Sequence, residues 1–314
     1  SIGADELLVQ MHACGICGSD VLEWYRIKKA PLVLGHEMTG EIVEVGNNVK
    51  RYKAGDRVFV SHHVPCNTCH YCLNGHHTVC DTLRKTNFDP GGFAEFIRVP
   101  GINVDRGVFL LPHEISYEEG TFIEPLACVL RGQKTAHLQP GQTVFIIGGG
   151  IAGLLHLKLA RALGASSVVV TDIHEKRLVF AEQSGAKAAI LANDTIPQQL
   201  KEVNNGRLAD MVIVAAGAIE ALHMAWKTVD RGGTVLIFAP PEPGIDIALP
   251  LYDIWHDGIT ITTSYAGSPL DIREAIELIR SKNIIVKDMI THRFPLAKAG
   301  GPLSFLLLDR FLPP

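Results

Sequence analysis

No stretch of this sequence approaches the roughly 18 uninterrupted apolar residues that a membrane-spanning helix needs, so no span is expected. Its opening, Ser1-Ile2-Gly3-Ala4-Asp5-Glu6, lacks the charged and apolar regions of a signal peptide. Long runs of one charge sign are missing too. The net charge of −4 is spread along 314 residues, which excludes a basic stripe for nucleic acid and offers nothing to an anionic membrane surface. There is no internal repeat and no low-complexity tract. Cysteines number only seven, and three of them (Cys14, Cys17, Cys128) stand apart from the other four, unlike a secreted disulfide framework. A soluble, cytoplasmic protein is expected. The length predicts roughly two domains, and 47% hydrophobic content is enough for ordinary cores.

What is present is chemically specific. Cys66, Cys69, Cys72 and Cys80 follow C-x2-C-x2-C-x7-C inside a stretch rich in turn residues. Four thiolates so spaced fill a tetrahedral zinc and leave no position open, which marks a structural site. The alternative is four buried or disulfide-bonded cysteines. His62, His63, His70, His76 and His77 crowd the same lobe, residues 62–82, as competing ligands. With four correctly spaced cysteines they read as surface or packing residues. A separate set, Cys17, His36 and Glu37, offers ligands that would leave a position free for substrate. A thioredoxin-like pair at Cys14-x-x-Cys17 is the competing account. Cys14 reads better as a small buried residue.

Two textures divide the chain. From residue 1 to about 128, short β-branched runs alternate with Gly, Pro, Asn and His: Leu7-Leu8-Val9, Glu41 to Val45, Arg57 to Val60 and Ala94 to Val99. That is the texture of a β-rich domain with long loops. From about 140, apolar strands alternate with helical patterns, predicting strands at Thr143–Ile147, Val168–Thr171, Ala188–Leu191, Met211–Ala215, Thr234–Phe238 and Ile259–Thr263. Such strands imply a parallel sheet covered on both faces, and six of them match the doubly wound α/β fold. Asp271–Ser281 reads as an amphipathic helix, after which the chain is expected to return to the first domain. The resulting division is 1–128, 129–266 and 267–314.

The segment Gly148-Gly149-Gly150-Ile151-Ala152-Gly153 satisfies G-x-G-x-x-G with Gly148, Gly150 and Gly153. It follows a predicted strand and opens a helix running to about Leu163. The first glycine permits the tight turn, the second lets the backbone approach a pyrophosphate, and the third allows close helix–strand packing. The helix N-terminus then faces the phosphates with free N–H groups. Asp172 ends the next predicted strand, where a carboxylate accepts from ribose hydroxyls and repels a 2′-phosphate, favouring NAD over NADP. Arg177 lies five residues on and could meet that phosphate instead.

Taken in order, Cys14-Gly15-Ile16-Cys17-Gly18-Ser19-Asp20, Gly35-His36-Glu37-Met38-Thr39-Gly40, the four-cysteine lobe, Ile123-Glu124-Pro125-Leu126 and the glycine loop resemble the zinc-dependent medium-chain alcohol dehydrogenases across nearly the whole chain. Ile-Glu-Pro-Leu is most similar to the sorbitol and polyol branch. The resemblance implies a β-rich, GroES-like catalytic domain beside a Rossmann domain, two zincs per chain, and a reaction in the cleft between the domains. It implies Cys17 and His36 as ligands of the catalytic zinc and Glu37 as the third. Glu124 would either bind the metal directly or hold its water, and Cys128 stands too far along to serve as the ethanol-type cysteine ligand. Ser19 matches the hydroxyl that passes on the alcohol's proton, and Asp20 a residue behind the zinc ligands.

The implied activity is NAD-dependent oxidation of a secondary alcohol of a polyol, sugar or cyclitol, by a homodimer or homotetramer. An L-threonine dehydrogenase-like or simple-alcohol activity is the alternative, followed by a zinc-independent reductase and a non-catalytic NAD-binding scaffold. Two departures stand out. Leu22 occupies the position where the family commonly has a histidine ending its proton relay. Both ends also look short, with early strands missing before Ser1 and no helix-and-strand ending in the tail from Gly300 to Pro314.

Overall fold

The computed structural model describes residues 1–300, and the tail read above as short of a final helix and strand lies otherwise outside the described residues. Two compact units emerge. Among the described residues, one joins Ser1–Ala127 with residues 266–300; the other is Cys128–Tyr265. Each division falls one residue before the boundary read from the sequence. The first lies inside the helix Ile123–Thr135, which the strand-and-loop texture before it does not announce.

The first unit is built on a five-stranded antiparallel sheet. Its strands are β1 (Leu7–Gly15), β2 (Glu37–Val45), β3 (Arg57–Val60), β4 (Phe96–Val99) and β5 (Val108–Leu110), in the order β4-β1-β2-β3-β5. Alternate residues point inward, and Leu7, Val9, Met38, Ile42, Val58, Val60, Ile97 and Val99 are buried together with Phe88. β1 runs six residues beyond the Leu7-Leu8-Val9 run, because Cys14 and Gly15 keep pairing with β2. Irregularities after Leu8 and Met11 adjust the register, which ends with Cys14 opposite Met38 and Gly15 opposite Glu37. That last pair brings the first cysteine segment to the Gly-His-Glu segment.

The second unit holds β6 (Thr143–Ile147), β7 (Ser167–Asp172), β8 (Ala188–Leu191), β9 (Ala209–Val214), β10 (Val229–Ile237) and β11 (Thr260–Thr263). All its pairs are parallel, in the order β11-β10-β9-β6-β7-β8. This is the doubly wound dinucleotide fold, with the order reversing between β6 and β9. Every residue of β6 and β7 is buried, as expected of strands covered on both faces. β10 starts five residues before the expected Thr234, since Val229 already pairs with Ala209 before the Gly232-Gly233 irregularity. Back in the first unit, the helix Pro269–Arg280 begins two residues before Asp271. Ser268 caps it, with Asp271 answering in a capping box, and Pro269 suits its first position. No helix among the described residues is long and apolar enough to cross a membrane.

Candidate metal centres and nucleotide loop

The four-cysteine lobe is a short turn followed by the helices His70–Leu73 and Asp81–Lys85. Asn67 takes a left-handed φ of 63° in the first Cys-x-x-Cys turn, a conformation asparagine tolerates. The sulfurs of Cys66, Cys69, Cys72 and Cys80 all lie within 4.8 Å of one another, and none is in a disulfide. Backbone N–H groups point at them: Cys69 N donates to Cys66 Sγ at 3.2 Å and Cys66 N to Cys80 Sγ at 3.4 Å. Hydrogen bonds led by that from Thr68 bring Cys66 down to about 5, whereas burial and its thiol neighbours push Cys72 up to about 12. A tetrahedral dication fits this set, with four soft donors converging and N–H groups ready to steady thiolate charge. Apart from the cysteines, the lobe's small core contains one aliphatic side chain, Leu83. His70 and His76 are exposed and His77 is half-buried, and none joins the ligand cluster.

The second centre is assembled by strand pairing. Cys17 stands just past the end of β1, where it caps the 3-10 turn Gly18–Asp20. Its sulfur accepts from Ser19 N at 3.4 Å while Asp20 Oδ2 accepts from Cys17 N at 3.1 Å. His36 immediately precedes β2 and Glu37 begins it, buried to 8% and 2% exposure. One ligand atom from each of Cys17, His36 and Glu37 falls within a common 4.8 Å. Gly15 makes this possible, because a Cβ there would collide with the Glu37 carboxylate. Asp20, wholly buried, lies 3.2 Å from His36 Nδ1. A hydrogen bond there leaves Nε2 as the imidazole's ligand atom, the arrangement that fixes metal-binding histidines.

Electrostatics follow from that burial. Glu37 is pushed up to about 8, first by desolvation and then by neighbours that include the carboxylates of Glu124 and Asp20. Burial also raises Cys17. His36 goes well above its usual value despite burial, because it bonds Asp20 and Cys17. A dication among these atoms would take the place of the protons, so a thiol, an imidazole and a carboxylate facing one point fit zinc.

Glu124, in the first turn of Ile123–Thr135, stands beside the cluster rather than in it, lining a niche with Ser61, His62, His63 and Ala266. Cys128, one helical turn later, is not among the ligand atoms either. Cys14 sits in β1 with its thiol pushed well up by burial, which does not suit a redox thiolate. Of the two readings, surface or packing, His62 and His63 take the packing one, and neither joins a ligand cluster. Their ring centroids lie 3.8 Å apart with the planes tilted by 36°, and the His62 ring centroid lies 4.8 Å from that of His36. Burial depresses both, His63 to about 3. Sequence separation hid this, since no motif joins His62 to residue 36.

Sequence reasoning also missed Arg26. Its guanidinium reaches Ser19 O and Ser19 Oγ, each at 2.9 Å, and Asp20 Oδ1 at 3.1 Å. No local motif signals an arginine in that place.

In the second unit, the glycine loop joins β6 to the helix Ile151–Ala162. Gly148 has φ +109°, and a Cβ on Gly153 would strike the carbonyl oxygen of Gly148. A Cβ on Gly150 would meet nothing within 4 Å. That open face, at a helix start whose first N–H groups have no intrahelical partner, fits a pyrophosphate. Ile151 is exposed and Ala152 half-buried at the same helix start. Asp172 ends β7 and accepts from Gly149 N at 2.7 Å and His174 N at 2.9 Å. Arg177 Nη1 lies 3.4 Å from the same carboxylate.

Comparison with known proteins agrees with this geometry. Residues 3–106 match the alcohol dehydrogenase GroES-like domain, and residues 152–281 match the zinc-binding dehydrogenase family. The chain is 33% identical to sorbitol dehydrogenase of Bacillus subtilis, the match covering 96% of this chain and 87% of that one. A zinc-binding dehydrogenase from Sinorhizobium meliloti 1021, solved with NADP bound, superposes with a TM-score of 0.88 at 31% identity, over 97% of this chain and 89% of the other. Galactitol-1-phosphate dehydrogenase from Escherichia coli gives 0.86 at 27% identity, over 100% and 94%. The fold is thus a GroES-like domain with a Rossmann domain, and the chemistry is that of an oxidoreductase using zinc and a nicotinamide cofactor. The chain belongs to the zinc-dependent medium-chain alcohol dehydrogenase family, on its sorbitol and polyol dehydrogenase branch.

Proposed function

We propose that this dehydrogenase oxidises a secondary alcohol of a polyol, sugar or cyclitol to the ketone with NAD, holding one catalytic and one structural zinc. The observation that carries the reading is the convergence of ligand atoms from half-buried Cys17 and buried His36 and Glu37, separate from the closed set of four sulfurs. When bound, zinc supplies Lewis acidity toward an alcohol oxygen and the nicotinamide ring accepts the hydride. Cys17, His36 and Glu37 hold the metal, and Asp20 orients the imidazole through Nδ1. Glu124, beside the ligands, holds water at the site. Ser19, two residues past Cys17, receives the alcohol's proton on Oγ. The polyol substrate class is supported by the sorbitol dehydrogenase relative and by the buried polar wall of Ser61, His62 and His63 beside Glu124.

In the second unit, Gly148, Gly150, Gly153 and the first-turn residues Ile151 and Ala152 cradle the pyrophosphate. Asp172 receives the ribose hydroxyls. Arg177 is engaged with Asp172, so NAD should bind better than NADP by about tenfold, the worth of one misplaced charge. Seven free thiols support action in the reducing cytoplasm, and family resemblance supports a homodimer or homotetramer. A screen of polyols, simple alcohols and L-threonine, following NADH absorbance in zinc-loaded protein, tests the substrate class. Oxidation confined to simple alcohols or L-threonine would overturn it. Titration with NAD and NADP tests the cofactor preference, which equal affinities would overturn.

A further inference from the structure

Resting on the reading that Ser19 passes on the alcohol's proton, we propose that Arg26 is the positioning residue of that transfer. It gives the Ser19 hydroxyl one way in and one way out. The guanidinium fork meets three oxygens of the turn after Cys17: Nε donates to Ser19 O at 2.9 Å, and Nη2 to Ser19 Oγ at 2.9 Å and Asp20 Oδ1 at 3.1 Å. A serine hydroxyl has one hydrogen and two lone pairs. Arg26 fills one lone pair, so one lone pair and one hydrogen remain. The alcohol O–H donates to that lone pair. As Oγ takes this proton, its own hydrogen leaves to water, while the hydride passes from the alcohol carbon to the nicotinamide ring. The hydroxyl finishes with one hydrogen, as it began.

Arg26 cannot carry the proton itself, because a guanidinium has no acceptor and stays charged. Its charge beside Oγ also favours electron density there during the exchange. Leu22, 40% exposed, offers no polar group to the departing proton, which leaves water to receive it. The fork is well held. Arg26 closes the short helix Glu23–Arg26, its side chain is only 18% exposed, and its guanidinium lies 4.9 Å from the Tyr25 ring centroid. Because Asp20 Oδ1 faces both Arg26 and His36 Nδ1, one cation ties the proton path to the imidazole that the metal uses. Without Arg26 the hydroxyl gains a third orientation, and only some orientations conduct.

The test compares Arg26→Met, Arg26→Lys and Ser19→Ala in the full-length, zinc-loaded protein. The substrate is sorbitol, or the alcohol that the screen above ranks first. Arg26→Met should lower kcat about tenfold or more, a share of the 10²–10⁴ typical of assisted proton transfer. KM and NAD affinity should stay within about twofold, since binding contacts are untouched. The solvent deuterium isotope effect on kcat should rise, and Arg26→Lys should recover part of the rate because an ammonium reaches fewer of the three oxygens. If Ser19→Ala is impaired while Arg26→Met keeps normal kcat and isotope effect, Arg26 has no positioning role and the Ser19 reading stands. Normal turnover in Ser19→Ala removes the Ser19 reading itself. A loss in Arg26→Met that merely tracks lost zinc or lost melting temperature, with folded Arg26→Lys showing an unchanged isotope effect, also overturns the inference.

Discussion

The two cysteine centres of this protein use overlapping donor chemistry and are made in opposite ways. The lobe draws all four sulfurs from residues 66 to 80, so local turns and two short helices suffice to gather them. The Cys17 centre needs β1 and β2 paired in one register, with Gly15 opposite Glu37, before its atoms meet. The lobe closes its donor set and has almost no apolar core of its own. The other is backed by the buried sheet core and brings together three candidate donors rather than four. A centre assembled by local sequence can be spared from the reaction. One assembled by tertiary pairing inherits the rigidity of the sheet, which a reactive geometry requires.

Three substitutions press on that difference. His36→Ala should have the largest effect, lowering alcohol oxidation roughly a thousandfold or more, as several kcal/mol of Lewis-acid stabilisation are lost. NAD binding and the four-sulfur zinc should survive, since the glycine loop and the lobe share no ligand with His36. Near-normal turnover would make the chain a metal-free reductase. Next, Asp20→Asn keeps the shape but removes the carboxylate behind His36, and zinc affinity at that centre alone should fall about 10–100-fold. Competitive titration with a chelator reads this directly. Equal weakening at both centres would show general loosening instead.

Cys72→Ser should disturb the chemistry least. Zinc content falls towards one per chain and the melting temperature drops by at least about 5 °C, because metal binding supplies much of the lobe's folding energy. Turnover per folded molecule should stay within about twofold, since the reactive centre keeps its ligands. Two zincs per chain in this variant, measured by elemental analysis, would sink the structural-site assignment.

Legibility followed the same division. The four cysteines and the G-x-G-x-x-G loop could be read because each set lies within a short stretch of chain, where spacing constrains geometry. Strands buried on both faces, such as Thr143–Ile147, were equally plain from their unbroken apolar runs. Cys17, His36 and Glu37 read as a candidate ligand set, and the family resemblance gives them their roles. Their spacing holds no hint of meeting, because 18 residues of turns and short helices separate His36 from Cys17. His62 and Arg26 escaped for the same reason, since neither their neighbours nor their periodicity point at the partners that the fold gives them. The full length of β1 was also hidden, as Cys14 and Gly15 look like loop residues until Met38 and Glu37 pair with them.

By itself, then, the sequence determined what short-range chemistry can specify: a closed thiolate set, a phosphate turn with Asp172 at the end of the next strand, and the alternation of a parallel sheet. Tertiary structure alone decided which groups face the Cys17, His36 and Glu37 cluster. It set Asp20 behind His36, Arg26 on Ser19, Glu124 beside that cluster, and His62 against His36. The physical reason is that local spacing constrains only neighbours along the chain. Contacts between distant residues depend on register, and register is settled by burying one face of a whole sheet at once.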